Sequence, residues 1–174
     1  MTKLAMCREQ PPSTGSLEVP TMEVDDHRAV RDGNTFSIID RESKTLARCK
    51  FSVWRRTAAF DVHGKGFIAY FKGWKEMVLE REDGSMVVSA TPKFNVAAAF
   101  AYDGYQYELR KEKWTDLGNL LYLYRDDGVR VAGFDRPSLY PGKMLVKFAN
   151  GLPLEINAFL LWVALLRWDN SPSG

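Results

Sequence analysis

The sequence predicts a mainly β protein, a closed antiparallel barrel of about twelve strands around a central hydrophobic C-terminal helix. Three observations predict it. From residue 36 onward, short β-rich runs alternate with polar turns, hairpin after hairpin. Three of those turns hold Asp-Gly, at 83–84, 103–104 and 127–128, and both residue types tolerate the positive φ of tight hairpins. Near the end of the chain, Ala158 to Leu166 reads AFLLWVALL without a polar interruption. At about 3.6 residues per turn, such a run is apolar on every face of a helix.

The strands follow in order. A short segment around 21–24 precedes FSIID (36–40), which passes through the polar turn RESKT into LARCKFS (46–52). TAAFDV (57–62) and GFIAYFK (66–72) flank His63-Gly64-Lys65, and EMVLER (76–81) and SMVVSAT (85–91) flank Asp83-Gly84. NVAAAFAY (95–102) and YQYELRK (105–111) flank Asp103-Gly104, and NLLYLYR (119–125) and VRVAGFD (129–135) flank Asp127-Gly128. KMLVKFA (143–149) follows Pro141-Gly142. Runs joined by short turns should be neighbours in the sheet, which makes an antiparallel meander. No fixed-length repeat points to a propeller or solenoid.

Some runs alternate cleanly: Tyr105, Tyr107 and Leu109 oppose Gln106, Glu108 and Arg110. Others are apolar on both faces. GFIAYFK sets Phe67, Ala69 and Phe71 against Ile68 and Tyr70, and NLLYLYR behaves likewise, so these strands need cover or bind something. In the final helix Pro153 suits the first turn, where its missing N–H has no intrahelical partner. Glu155 near the start and Arg167 near the end complement the helix dipole. A membrane span needs about 20 apolar residues, roughly twice this core, and a helix lying on a sheet keeps a polar face. The interior of a barrel is the environment that remains, since about a dozen strands enclose more room than their own side chains fill. Ala97, Ala99 and Ala101, on one face of a strand, would leave clearance for the helix there.

One chain of 174 residues suits a single domain, and 45% hydrophobic with 26% charged residues is a globular composition. The expected organisation is a flexible leader over 1–19, marked by Pro11-Pro12-Ser13-Thr14-Gly15, one domain over 20–170 and a tail over 171–174. A formal net charge of +2 implies no nucleic-acid partner. Leu4-Ala5-Met6 is too short for a signal-peptide core, so the expected location is cytoplasmic. Cys7 and Cys49 are read as free thiols in a reducing compartment, without CxxC spacing for a metal.

No catalytic constellation, metal site or cofactor motif emerges. Asp25-Asp26-His27 falls in a solvated lead-in, where consecutive residues would point to opposite faces rather than converge on one ion. His63-Gly64-Lys65-Gly66 lacks Walker spacing and a following helix, and reads as a hairpin turn. There is no GxSxG, and nothing places Glu80/Glu82 or Asp126/Asp127 across a cleft. The informative polar feature is three clusters that join cations to an indole near strand ends: Trp54-Arg55-Arg56, Lys72-Gly73-Trp74-Lys75 and Arg110-Lys111-Glu112-Lys113-Trp114. Trp favours membrane interfaces, and Lys and Arg are drawn to lipid phosphates. Arg55, Arg56, Lys72, Lys75, Lys111 and Lys113 are therefore the candidate lipid- or anion-binding residues.

FSIIDRESKTLARCKF (36–51) and LEINAFLLWVALLRWD (154–169) resemble the strand–turn–strand unit and the terminal core helix of the tubby C-terminal-like superfamily, which includes tubby proteins, phospholipid scramblases and LURP-one-related proteins. The resemblance covers about residues 20–170 and implies a twelve-stranded barrel closed around its last helix. It implies a non-catalytic binding or adaptor module, whose partner is an anionic lipid headgroup or another protein, peripheral to the membrane in the first case. The alternative is a lipocalin-like carrier with a hollow barrel and an outer helix; Gly73-Trp74 resembles part of that family's G-x-W signature. An enzyme built on the same barrel from loop acids and His63 is the third reading.

Overall fold

A computed structural model of the chain describes residues 24–52, 54–113, 120–136, 143–149 and 151–169, with the side chains of 24–26 and 149 excepted. The leader, Cys7, Trp114 and the tail lie outside these residues. Twelve antiparallel strands close into a barrel: β1 Val24–Asp32, β2 Thr35–Ile39, β3 Thr45–Ser52, β4 Thr57–Val62, β5 Lys65–Lys72, β6 Glu76–Arg81, β7 Met86–Lys93, β8 Val96–Tyr102, β9 Tyr105–Arg110, β10 Leu120–Arg125, β11 Arg130–Asp135 and β12 Lys143–Ala149. Each pairs with its sequence neighbours, and β1 closes the ring against β12. The helix α1, Leu154–Asp169, follows.

Ile156 to Leu166 of α1 are all buried, and Trp162 has no exposed surface. The helix therefore fills the barrel as its axle. Inward residues of the strands close on it: Phe36 and Ile38, Phe60, Leu79, Leu109, Leu123, Phe134 and Met144 all join one core with the helix. This plugged interior corrects the hollow-barrel carrier, which needs an open cavity and an outer helix. Pro153 stands one residue ahead of the helix rather than in it, and its carbonyl accepts the N–H groups of Ile156 and Asn157. At the other end Asp169 accepts Arg31 Nη1 and Arg136 Nη1, each at 3.1 Å, tying the last turn to β1 and to the end of β11.

Three expectations need correction. Residues 21–23 of the expected first segment lie outside the described residues, and Asp25-Asp26-His27, expected as a lead-in, belong to a full strand, Val24–Asp32, paired on both sides. A closing strand draws its partners from the backbone, so its outer side chains are free to be charged while Ala29 packs inward. Ala99 and Ala101 face outward and Ala98 and Phe100 inward, so the small residues clear no path for the helix. Only Ala97 reaches the core, at a bulge between Val96 and Ala98. The strands read as two-faced receive only partial cover. On β10, Tyr122 and Tyr124 lie half-buried beneath Arg130 and Arg110, whose guanidinium carbons stand 4.5 and 4.1 Å from the ring centres. On β5, Ile68 stays 47% exposed.

The Asp-Gly turns also divide. At Asp103-Gly104 both central residues have positive φ, 48° and 80°, as a two-residue hairpin with the twist of its strands requires. His63-Gly64 does the same. At Asp83-Gly84 and Asp127-Gly128 only the glycine does, and the aspartate instead accepts the N–H two residues on, from Ser85 and Val129. That is the aspartate's other turn role, bonding its side chain to the following backbone.

Candidate functional site

The end of the barrel where α1 starts is termed the lower end, and that where it finishes the upper end. In a meander successive turns alternate between ends. The β3–β4, β5–β6, β7–β8 and β9–β10 connections therefore all lie at the upper end. This parity brings together what is scattered in sequence: Trp54, Arg55 and Arg56 on the first connection, Lys72, Trp74 and Lys75 around the second, and Lys111 and Lys113 on the fourth. Trp114 falls outside the described residues.

The third connection supplies a member that sequence reading missed. β7 and β8 are joined by the two-residue turn Phe94-Asn95, with Asn95 at φ 63°. So short a turn has no interior, and Phe94 projects from its tip. Three neighbouring hairpins thus present Trp54, Phe94 and Trp74 at 99%, 93% and 88% exposure. Arg55, Arg56, Lys72, Lys75 and Lys93 are exposed between them. Large aromatic side chains are ordinarily drawn inward, so three at adjacent tips form a surface rather than a scatter of single exceptions. The available sequence signal was weak: a Phe next to a β-rich run reads as strand.

The cations differ in setting. Arg56, at φ 50°, lays its guanidinium 5.2 Å from the centre of Phe71, whose ring meets Trp162 edge-on at 6.0 Å. Lys93 reaches Glu108 at 3.3 Å on the outer wall. Lys111 and Lys113 lie apart from the first two clusters, beside a second opening of about 500 Å³ that also has Arg110, Glu112 and Arg167 in its wall. A groove of about 260 Å³ lies between the two sets of cations and shares Val96, Ala97 and Arg167 with that opening.

The lower end is different. Its turns and adjoining strand ends carry Asp61, Glu82, Asp83, Asp103, Asp126 and Asp127, with Arg41, Lys44, Lys65, Arg81 and Arg125 among them. Three of the four carboxylates considered for catalysis, Glu80, Asp126 and Asp127, accept hydrogen bonds from neighbouring strands and turns. Glu80 accepts the Tyr70 hydroxyl at 2.8 Å on the outer wall, and this bond with the neighbouring acids raises the Tyr70 pKa. Asp126 accepts the Gln106 N–H, and Asp127 accepts Arg125 Nε at 2.9 Å. His63 is exposed in its turn, while His27 is half-buried with its ring 4.9 Å from that of Phe148. Among the described residues no group of three or more His, Cys, Asp or Glu side chains could hold a metal ion. Burial pushes the Cys49 thiol far up, which keeps it protonated and unreactive. Among the described residues no helix is long and apolar enough to cross a membrane.

Comparison with known proteins bears on the fold. No family model matches the chain, and no curated protein matches it. Among solved structures, that of a protein from Arabidopsis thaliana, determined by X-ray crystallography, is similar with a TM-score of 0.58. The match is 15% identical and covers 85% of this chain and 92% of that one. At that identity the likeness is one of architecture, the barrel with its single C-terminal helix.

Proposed function

We propose that this chain is a non-catalytic docking module whose upper rim settles on an anionic phospholipid surface. The observation that carries the reading is the set of three adjacent tips with Trp54, Trp74 and Phe94 outermost and Arg55, Arg56, Lys72, Lys75 and Lys93 between them. Indole and phenyl rings partition into the headgroup boundary, where Trp is enriched. Each Lys or Arg held near an anionic leaflet adds about 1 kcal/mol. The two effects need the same depth, and tips that carry both on one rim satisfy that need. The anionic leaflet is the cytoplasmic one, so the reading implies a cytoplasmic, peripherally bound protein. We also infer a place in the tubby C-terminal-like superfamily, near its LURP-one-related branch; the axial helix and the shared architecture support it.

Vesicle sedimentation tests the docking. Phosphatidylcholine vesicles should leave the protein in solution, and vesicles with added phosphatidylserine or phosphoinositide should carry it down at low salt. The double reversal Arg55→Glu with Arg56→Glu should weaken partitioning at least tenfold, or about 1.4 kcal/mol. Trp54→Ser with Trp74→Ser and Phe94→Ser should do as much without lowering the melting temperature. Absence of binding at low salt, or indifference to the charge reversal, would sink the proposal and turn the same surface toward a protein partner.

A further inference from the structure

Just behind the tip that carries Phe94, the β7–β8 hairpin reads Thr91-Pro92-Lys93. Thr91, Pro92, Lys93, Phe94 and Asn95 are all exposed. Two features loosen the backbone ladder there. On one side the register with β6 ends at Met77 opposite Ala90, so the tip beyond Thr91 pairs with β8 alone among the described residues. On the other side a single extra residue in β8, Ala97, shifts the register between Thr91 and Lys93, and Pro92 has no N–H to give. A two-stranded ribbon with an interrupted ladder opens at low cost.

That arrangement suits an enzyme that takes its substrate as an extended, accessible strand. A proline after the acceptor hydroxyl fits a cleft that makes no hydrogen bond to the following N–H, and is rejected by a cleft that needs one. The other hydroxyl–proline pair of the chain, Ser171-Pro172, lies outside the described residues. A phosphate on Thr91 would add about 1.5 to 2 negative charges. Its surroundings would not cancel them. Ala90 opposite Met77 sets Glu76 beside Thr91 on the outer wall, where Glu76 already accepts the Ser89 hydroxyl at 2.6 Å. Lys93 is held by Glu108 at 3.3 Å. Thr91 is three residues behind Phe94, at about 3.3 Å each, and a strand tilt of about 40° places it about 8 Å back from the tip. That is about one screening length at 0.15 M salt, so a leaflet under the rim senses the charge.

We propose that Thr91 is a phosphorylation site for a proline-directed protein kinase, and that its phosphate releases the upper rim from an anionic membrane. In the transfer the Thr91 hydroxyl oxygen attacks the γ-phosphorus of ATP. A new O–P bond forms, the bond from that phosphorus to the ADP oxygen breaks, and the hydroxyl proton passes to the catalytic aspartate of the kinase. The inference rests on the membrane reading and adds a release step to it: rings and cations hold the rim, and the phosphate subtracts charge from the same surface.

The test treats the folded full chain with ATP and a mitogen-activated or cyclin-dependent protein kinase, and maps the product by mass spectrometry. A phosphoryl group should enter at Thr91. Thr91→Val and Pro92→Ala should each abolish that incorporation, and Ser171→Ala should leave it in place. With phosphatidylserine vesicles, the chain phosphorylated at Thr91 should partition about tenfold more weakly than the parent at 0.01 M salt and about threefold more weakly at 0.15 M, where screening is stronger. Thr91→Glu should weaken partitioning about threefold at 0.01 M, and Thr91→Gln, of the same shape without the charge, should keep the parent affinity. These two variants read the charge effect without a kinase. No incorporation at Thr91 in the folded chain, incorporation indifferent to Pro92→Ala, or parent-like vesicle affinity after phosphorylation would each overturn the proposal, and a parent that still binds would leave the docking standing. A parent that ignores anionic vesicles would remove the docking and the release step together, even with Thr91 phosphorylated.

Discussion

Asp127 shows how much one side chain does in a turn. Its carboxylate takes the Arg125 guanidinium and then the Val129 N–H, and these hold its pKa below the usual carboxylate range. Asp83 stands in the equivalent place one hairpin pair away, where bonds from Ser85 lower its pKa in the same way. A carboxyl whose pKa is lower in the folded than in the unfolded chain binds fewer protons when folded. Its contribution is full above the unfolded value of about 3.9 and is lost as pH falls through the folded value. The melting temperature should therefore be level above about pH 5 and decline below about pH 4, and Asp127→Asn should remove part of the decline. Both groups are exposed, so the effect is modest. A decline that begins near pH 6, well above the carboxylate range, would contradict this account.

At the scale of elements, α1 carries the most weight. Trp162 lies at its middle with Phe159 and Phe71 against it, and its indole N–H has no hydrogen-bond partner among the described residues. Trp162→Ala should cost about 3–5 kcal/mol, as expected for a large aromatic deleted from a packed core. Trp162→Phe should cost less, because it keeps a ring and also removes an unpaired buried donor. Trp54→Ala and Trp74→Ala, at exposed tips, should stay within about 0.5 kcal/mol of the parent. Denaturant titration of the four variants separates these outcomes; a cost for Trp162→Ala no larger than for the tips would show that the helix is not the axle. This helix was legible in the sequence because a run apolar all round has few places to go. The hairpins were legible because their turns carry Asp-Gly and His-Gly. β1 was not, since VDDHRAVRD owes its place to partners on β2 and β12 and not to its own pattern. The bulge in β8 that re-aims Ala97 left only Pro92, on the facing strand, as a sign, a residue that cannot donate to a ladder. The basic–aromatic clusters were visible one by one because their members adjoin in sequence. Their sharing of one rim follows from the parity of turns in a meander, and Phe94 had to be seen at the tip.

The whole molecule is electrically uneven although its net charge is only +2. Cations outnumber acids at the upper end, and at the lower end Asp61, Glu82, Asp83, Asp103, Asp126 and Asp127 outnumber Arg41, Lys44, Lys65, Arg81 and Arg125. An eight-residue strand such as β5 rises about 3.3 Å per residue. Tilted about 40° from the axis, it separates the ends by on the order of 20 Å. The screening length is about 8 Å at 0.15 M salt and about 30 Å at 0.01 M. At physiological salt a membrane under the upper rim therefore barely senses the lower acids, and at low salt it senses both ends. Glu82→Lys, an exposed lower-end reversal, should change vesicle affinity by less than about twofold at 0.15 M and raise it several-fold at 0.01 M. Lys75→Glu at the upper end should weaken binding at both salt concentrations, because its charge lies at the surface itself. Sedimentation of the two variants at both salts reads the difference directly. Equal and opposite effects at 0.15 M would mean that the vesicle responds to net charge alone, and the rim would then have no orienting role.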